Sequence, residues 1–270
     1  MKITTNNGIS LSLTEDELKR YNRQILLPSF GEEGQIKLKR SHVLIAGVGG
    51  LGSPVSIYLA SAGIGRLTLV DSDRVELSNL NRQILHWETN IGERKVFSAC
   101  DKLKNINSTI KLFPIHEKIT EKNIVKLLDG VDLVIDCLDN METRFILNEG
   151  VVILGIPMIH GGIHGLLGEI TTIIPGLTPC LECIFQRGYK DKETFPVLGA
   201  TPGVIATLQV MEAIKLIVGF GKLLIGKMLY VNGEEMEFIT VDYQRKKDCK
   251  VCGKKDIDIK SNDIISSNYK

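Results

Sequence analysis

The sequence predicts an α/β fold, a mostly parallel sheet with helices on both faces. Three observations predict it. The stretch His42–Gly52, reading HVLIAGVGGLG, passes from an apolar run into a G-x-G-x-x-G turn. Ser53-Pro54 follows, and proline suits the first turn of a helix because the N–H it lacks has no partner there. A second apolar run, Arg66–Asp71, then closes a β-α-β unit of about 30 residues. Beyond it, short apolar runs keep alternating with helical patterns to about residue 160, the pattern of a parallel sheet covered by helices. The glycines let a phosphate approach the backbone, and the helix start offers free N–H groups and a positive dipole end. This Rossmann-like unit by itself suits NAD, FAD or ATP.

The elements follow in order. The first dozen residues read as unstructured. Thr14 and Glu17 form a candidate capping box, opening a short helix through Arg23. Gly31 and Gly34 break the chain before a helix over Gln35–Arg40. After the glycine turn a helix covers Pro54–Ala62, ended by Gly63 and Gly65. Residues 73–95 are polar and irregular. A helix over Val96–Asn105, a strand over Ile110–Ile115 and a helix over Lys122–Leu128 lead to the strand Val131–Cys137. The helix Thr143–Leu154 and the strand Pro157–His160 end the alternating region. Gly161–Gly165 reads as a glycine-rich turn, Glu169–Ile174 as a strand, and Pro175–Gly199 as loop. A long apolar helix covers Val204–Val218. Two antiparallel strands then flank Asn232-Gly233, a hairpin signal. The whole reads as one domain over residues 1–253 and a mobile polar tail over 254–270.

Bulk properties exclude several classes. The 33 basic and 32 acidic residues nearly cancel, so no nucleic-acid or membrane surface is expected. No uninterrupted apolar run of about 18 residues occurs, so no membrane span is expected, and the N-terminus lacks a signal-type apolar core. A cytoplasmic location is the expectation. Of the six cysteines, Cys180, Cys183, Cys249 and Cys252 form two C-x-x-C pairs. In a cytosolic chain that spacing favours a structural tetrahedral zinc site over redox pairs or free thiols. Such a site would clamp the loop before the long helix to the C-terminus. Cys100 reads as a helix residue, and Cys137 as a small apolar packing group.

Ligands of such sheets bind at the carboxyl ends of the strands. Strand one delivers the glycines. Strand two delivers Asp71, about 20 residues beyond them, where an acid can hold a ribose. Strand four delivers Asp136 and Asp139, and the irregular segment brings Asn79, Arg82 and Lys95. A triphosphate carries about four negative charges and needs cations and a carboxylate-held metal. Arg82, Lys95 and Asp139 supply that set, although by position the two bases are equally compatible with solvated surface charges. His160 and His164 read as hydrogen-bonding loop histidines, and Trp87 as a packing residue.

RYNRQ (Arg20–Gln24), GVGGLGS (Gly47–Ser53), DSDRVELSNLNRQ (Asp71–Gln83), IGERK (Ile91–Lys95), DCLDN (Asp136–Asn140), LQVMEAIKL (Leu208–Leu216) and the two cysteine pairs fall in one collinear order. Together they resemble the ubiquitin-activating-enzyme-like proteins of the MoeB/ThiF/HesA group, from about Arg20 to Cys252. The resemblance implies a homodimeric adenylyltransferase that uses ATP and Mg²⁺. Its substrate would be a ubiquitin-like sulfur-carrier protein, activated at its C-terminal glycine carboxylate with release of pyrophosphate. It further implies that Gly47, Gly49, Gly50 and Gly52 cradle the nucleotide and that Asp71 binds ribose. Asp73, Ser78, Asn79, Leu80, Asn81, Arg82 and Gln83 would form the phosphate-binding run. Lys95 would contact phosphates, Asp139 would hold Mg²⁺, and Asn140 would line the site. Arg23 would reach the partner's ATP across the dimer, making Arg23, Arg82, Lys95 and Asp139 the catalytic set. Several relatives carry a cysteine in the crossover loop that accepts the activated carrier. Residues 191–196, DKETFP, contain none. Adenylation without covalent transfer is therefore expected, and a small carboxylic acid becomes an alternative substrate. The pathway, whether molybdopterin, thiamine or tRNA thiolation, stays open.

Overall fold

The computed structural model describes residues 12–185, 187–188 and 196–253. The helices are α1 (Glu15–Arg20), α2 (Asn22–Ile25), α3 (Gly31–Arg40), α4 (Gly52–Ala62), α5 (Lys95–Ile106), α6 (Ile124–Leu127), α7 (Met141–Leu154), α8 (Leu181–Ile184) and α9 (Ala200–Val218). The strands are β1 (His42–Ala46), β2 (Arg66–Val70), β3 (Lys111–Ile115), β4 (Leu133–Asp136), β5 (Met158–His164), β6 (Leu167–Ile173), β7 (Lys227–Asn232) and β8 (Glu237–Asp242). They make one sheet in the order β3-β2-β1-β4-β5-β6-β7-β8. β3 to β5 run parallel, and β6, β7 and β8 add antiparallel pairings. The predicted parallel core with an antiparallel extension is thus present.

Alternate residues of a strand point to opposite faces. Val43 and Ile45 of β1 enter one hydrophobic core, while Leu44 and Ala46 enter the other. The first core takes α3, α4, α5 and α9. The second takes α6, α7 and the four paired cysteines. β1 is therefore apolar throughout because both of its faces are covered.

Three local expectations need correction. Gly34 does not break the chain but lies inside α3, where a Cβ would come 2.9 Å from Val218, so the glycine lets α3 approach α9. Gly161 and Gly162 lie within β5 rather than in a turn. A Cβ on Gly161 would meet the Gln209 side chain, and one on Gly168 the Ile205 side chain, so these glycines let α9 lie flat on β5 and β6. Trp87 does not pack in the core: it is 60% exposed, with the Lys102 ammonium 4.8 Å from its ring centre. The capping box of α1 is present, with Thr14 accepting from the Glu17 N–H.

α9 changes the reading of the apolar segments. As a helix of 19 residues with mean hydropathy 1.4 over its most apolar window, it is long and apolar enough to cross a membrane. It instead packs against α3, α4, β5 and β6. Glu212, in its middle, is buried and accepts from Thr172 Oγ1 (2.6 Å) and the Leu224 N–H (2.8 Å), while pairing with Lys215. A core helix of this kind passes the same length and composition test as a span. The expectations for residues 1–11, for the crossover segment 191–195 and for the tail 254–270 lie outside the described residues.

Candidate nucleotide and metal sites

A cavity of about 810 Å³ opens beside the glycine turn at the carboxyl ends of the parallel strands. That volume suits a small-molecule ligand. Of the residues expected there, Gly47, Gly49, Gly50, Asp71, Asp73, Arg82, Gln83, Lys95, Asp139 and Asn140 line it. Gly47 has φ +91°, a conformation that disfavours any side chain, and its N–H donates to the Val70 carbonyl at 2.8 Å. Gly52 serves from behind. A Cβ there would run into the Gly47 carbonyl oxygen, so the residue permits the turn without touching the cavity.

Side chains around the cavity hold one another. Asp71 accepts from the Val48 N–H (2.7 Å) through Oδ2 and from the Asp73 N–H (2.8 Å) through Oδ1, which ties the end of β2 to the glycine turn. The Lys95 ammonium is 2.9 Å from Asp73, and its side chain is 6% exposed against 61% for Asp73. The Asp73 carboxylate thereby holds the side chain of a buried lysine at the start of α5, on the cavity wall. Arg82 donates to the Ser78 carbonyl (2.9 Å) and to Asn81 Oδ1 (3.0 Å). Asn140 caps α7 by accepting from the Thr143 N–H at 2.9 Å, and its amide donates to Asp139 (3.2 Å). Asp139 is exposed on the cavity wall, as a carboxylate that is to meet a metal ion needs to be.

Ser78, Asn79, Leu80 and Asn81 do not line the cavity. Ser78 and Asn81 orient Arg82, while Asn79 is buried and accepts from the Glu76 N–H (3.1 Å). Arg23 stands exposed on α2, outside the cavity lining of its own chain.

Beneath the cavity lies a buried charge network that sequence reasoning missed. His160 Nδ1 is 2.7 Å from Asp136 Oδ2, and its Nε2 is 3.6 Å from Glu169. Arg144 Nε is 3.5 Å from the same Asp136 oxygen. Arg144 also donates to the carbonyls of Leu138 (2.6 Å) and Gly161 (2.8 Å), and Asp136 accepts from the Leu138 N–H (3.1 Å). Both polar groups of Leu138 are thus fixed, which sets the chain direction leading to Asp139. Burial opposes charge on all three titrating groups. At His160 the adjoining Asp136 and Glu169 carboxylates outweigh it and raise the imidazole pKa. At Asp136 burial is outweighed by Arg144 and then by His160, and the carboxyl is held below its ordinary value. At Glu169 burial is likewise outweighed by His160, with the same result.

The sign of the pH dependence follows. A raised histidine contributes stability that is full below its unfolded pKa of about 6.5 and is lost as pH rises through the folded value. The lowered carboxylates contribute above about pH 4.5 and lose their share as pH falls through their folded values. The melting-temperature advantage of wild type over His160→Gln is therefore expected to be full below about pH 6.5 and to shrink as pH rises beyond it. An advantage that stays constant as pH rises would show that His160 carries no extra proton.

Cys180, Cys183, Cys249 and Cys252 converge in the second core. Their four sulfurs lie within 4.8 Å of one another, and all four residues are buried. Cys180 and Cys249 sulfurs are 3.7 Å apart, and those of Cys183 and Cys252 are 3.4 Å apart. A tetrahedral zinc with bonds of about 2.3 Å spaces its sulfurs by about 3.8 Å, so the donor set fits. Burial pushes the Cys180 thiol up and that of Cys183 to about 11. Thiolates at these positions need a cation close by. Cys100 is pushed by burial to about 12, and burial raises Cys137 as well, so neither is a ready nucleophile.

The cavity also takes residues that were not anticipated: Glu117, Lys118, Ile119, Arg144, Ile163, His164 and Val197. The first three follow β3, so the strand-end rule applied to strands one, two and four would have found them at strand three. Arg144 stands one helical turn beyond the Asn140 cap, on a face that spacing alone could have marked. His164 ends β5 on the cavity wall, where a loop position was expected.

Comparison with known proteins bears on this geometry. The model of the ThiF family matches residues 21–251. The chain is 42% identical over 244 residues to "Protein HesA, heterocyst" of Trichormus variabilis, covering 90% of this chain and 91% of that protein. It is 37% identical to the "SAMP-activating enzyme E1" of Haloferax volcanii, covering 96% and 98%. It is 41% identical to "Adenylyltransferase and sulfurtransferase MOCS3" of Culex quinquefasciatus, covering 89% of this chain and 56% of that protein. Among solved structures it is similar to E. coli MccB with ATP, at TM-score 0.78 and 27% identity, covering 87% and 74%. The complex of MccB with MccA-N7isoASN gives TM-score 0.79 and 26% identity, covering 87% and 74%.

Proposed function

Because the chain belongs to the ThiF family and is an adenylyltransferase, we propose that it activates the C-terminal glycine carboxylate of a ubiquitin-like sulfur-carrier protein. One observation carries the reading: the glycine turn, Arg82, Lys95 and Asp139 share one cavity. A parked dinucleotide needs the glycines and Asp71, but it leaves the two cations and the metal-type carboxylate without a role. ATP uses all of them.

The substrate carboxylate is itself the nucleophile. It attacks the α-phosphorus of ATP, the α–β phosphoanhydride bond breaks, and pyrophosphate leaves as the acyl-adenylate forms. No side-chain nucleophile is required, and the protein's work is positioning and charge stabilisation. The turn over Gly47–Gly52 offers backbone N–H groups to the phosphates. Arg82 and Lys95 oppose the charge that develops on the phosphate oxygens, and Asp71 takes the ribose. Asp139 would hold Mg²⁺, which supplies further neutralisation of phosphate charge when bound. Adenylation ends the reaction on this chain, since the crossover segment has no cysteine and Cys100 and Cys137 are raised thiols.

Pyrophosphate–ATP exchange tests the substrate. Small proteins ending in Gly-Gly are expected to stimulate it. A second reading, a peptide or small carboxylic acid, draws on the likeness to MccB, whose structures include complexes with MccA. Exchange driven by such acids and not by carriers would favour it.

The active unit is a homodimer in which Arg23 acts on the partner's nucleotide. Its exposure on α2, beside the exposed apolar Leu26 and Leu27 and away from its own cavity, supports this. Arg23→Ala and Asp139→Ala chains, each inactive alone, are expected to recover about a quarter of wild-type exchange when mixed and re-equilibrated. Half the dimers are then mixed, with one intact site of two. No recovery despite dimer exchange would place Arg23 outside the partner's site.

A further inference from the structure

We propose that His86 is a positioning residue for the nucleotide, fixing the phosphate-binding turn through the carbonyl of Val48. This inference rests on the nucleotide reading of the cavity. His86 is buried at 3% exposure, and its Nε2 is 3.0 Å from the Val48 carbonyl oxygen. A carbonyl only accepts, so Nε2 carries the proton. Nδ1 is 3.0 Å from Ser98 Oγ. That hydroxyl in turn accepts from the Lys102 ammonium at 3.0 Å, and an ammonium only donates. The hydroxyl proton is therefore turned toward Nδ1, and every group in the chain is satisfied with His86 neutral. Burial lowers the His86 pKa and nearby Lys95 and Lys102 lower it further, which agrees with the neutral ring. Lys102 is anchored by Asn90 Oδ1 at 2.6 Å and by the face of Trp87.

The consequence lies in the peptide plane. In a trans peptide the C=O and N–H point in opposite directions. Holding the Val48 carbonyl on the His86 side turns the Gly49 N–H to the other side, and Gly49 lines the cavity. The other peptide of Val48 is held by Asp71, which accepts its N–H at 2.7 Å. The turn therefore has both planes set before a phosphate arrives, and donors fixed in advance need no reorganisation when the ligand binds.

Calorimetric titration with ATP of wild type, His86→Gln and His86→Leu tests this. The glutamine amide can donate to the Val48 carbonyl, and leucine cannot. His86→Leu is expected to weaken ATP binding about 10-fold or more, the scale of one well-placed hydrogen bond, with His86→Gln within about threefold of wild type. In pyrophosphate exchange the loss in His86→Leu is expected in KM for ATP, with kcat little changed. Undiminished binding by His86→Leu, or equal losses in both variants, overturns the role of His86 alone. A wild-type chain that binds no ATP overturns the nucleotide reading and the inference together. The ring ¹⁵N spectrum of the wild-type chain gives a check free of variants: a neutral ring protonated at Nε2 is expected, and an Nδ1–H tautomer overturns the proposal.

Discussion

Asp139→Ala is expected to lower carboxylate-dependent pyrophosphate–ATP exchange by about 100-fold or more, the usual scale for removing one preorganised electrostatic group. The chain should stay folded. Asp139 is exposed and accepts from the side-chain amide of its neighbour Asn140, so no core contact goes with it. The scaffold that places it also survives. The Leu138 N–H still reaches Asp136, and the Leu138 carbonyl still takes Arg144. The variant therefore separates chemistry from stability, with a melting temperature within about 1 °C of wild type, as for surface substitutions in general. Undiminished exchange in a folded variant would remove Asp139 from the mechanism. An Arg144→Met variant would instead disturb both exchange and folding, because it removes one of the two cations facing the buried Asp136 and leaves the Leu138 and Gly161 carbonyls without their donor.

Replacing Cys183 by serine is expected to release zinc and lower the melting temperature by about 10 °C. The ligand set buries four sulfurs within 4.8 Å of one another, and losing such a site commonly costs about 3–4 kcal/mol, at about 3 °C per kcal/mol for a domain of this size. The loss falls on one region. Cys180 and Cys183 flank and occupy α8, whose Leu181 N–H donates to Asn148 of α7, so the clamp ties the C-terminal segment to the α7 layer. The glycine turn, Arg82 and Lys95 lie on other elements of the cavity wall, and residual exchange at low temperature is expected to persist. Zinc content near zero in wild type purified without chelator would overturn the assignment.

Much of the fold was legible because its signals are local. β1 could be read as a buried strand because both faces are covered, which removes polar residues from it. The α4 start could be read from Gly52, Ser53 and Pro54 because turn geometry restricts residue type at those positions. The hairpin of β7 and β8 was legible too, although its loop runs over four residues from Gly233 to Met236 rather than two. Where reading failed, long-range packing had decided. Gly34 and Gly161 look like breakers in a one-dimensional pattern. They are small because α9 lies against them, and nothing near them in sequence says so.

The site divides in the same way. Residue chemistry and spacing determined the glycine turn, the Asp71 at the second strand's end, the cation pair, Asp139 and the two C-x-x-C pairs, because each is a demand made by a ligand on nearby backbone. Tertiary structure alone decided that Arg144 and His160 converge on Asp136 and that His86 reaches Val48. Those contacts join segments far apart in the chain, and they come about through the strand order of the sheet and through burial. Burial makes an unpartnered charge or carbonyl costly, so such groups find partners wherever the fold brings them. The glycine turn announces a phosphate site from sequence. Which way its N–H groups face is settled by a histidine and an aspartate that only folding brings to it.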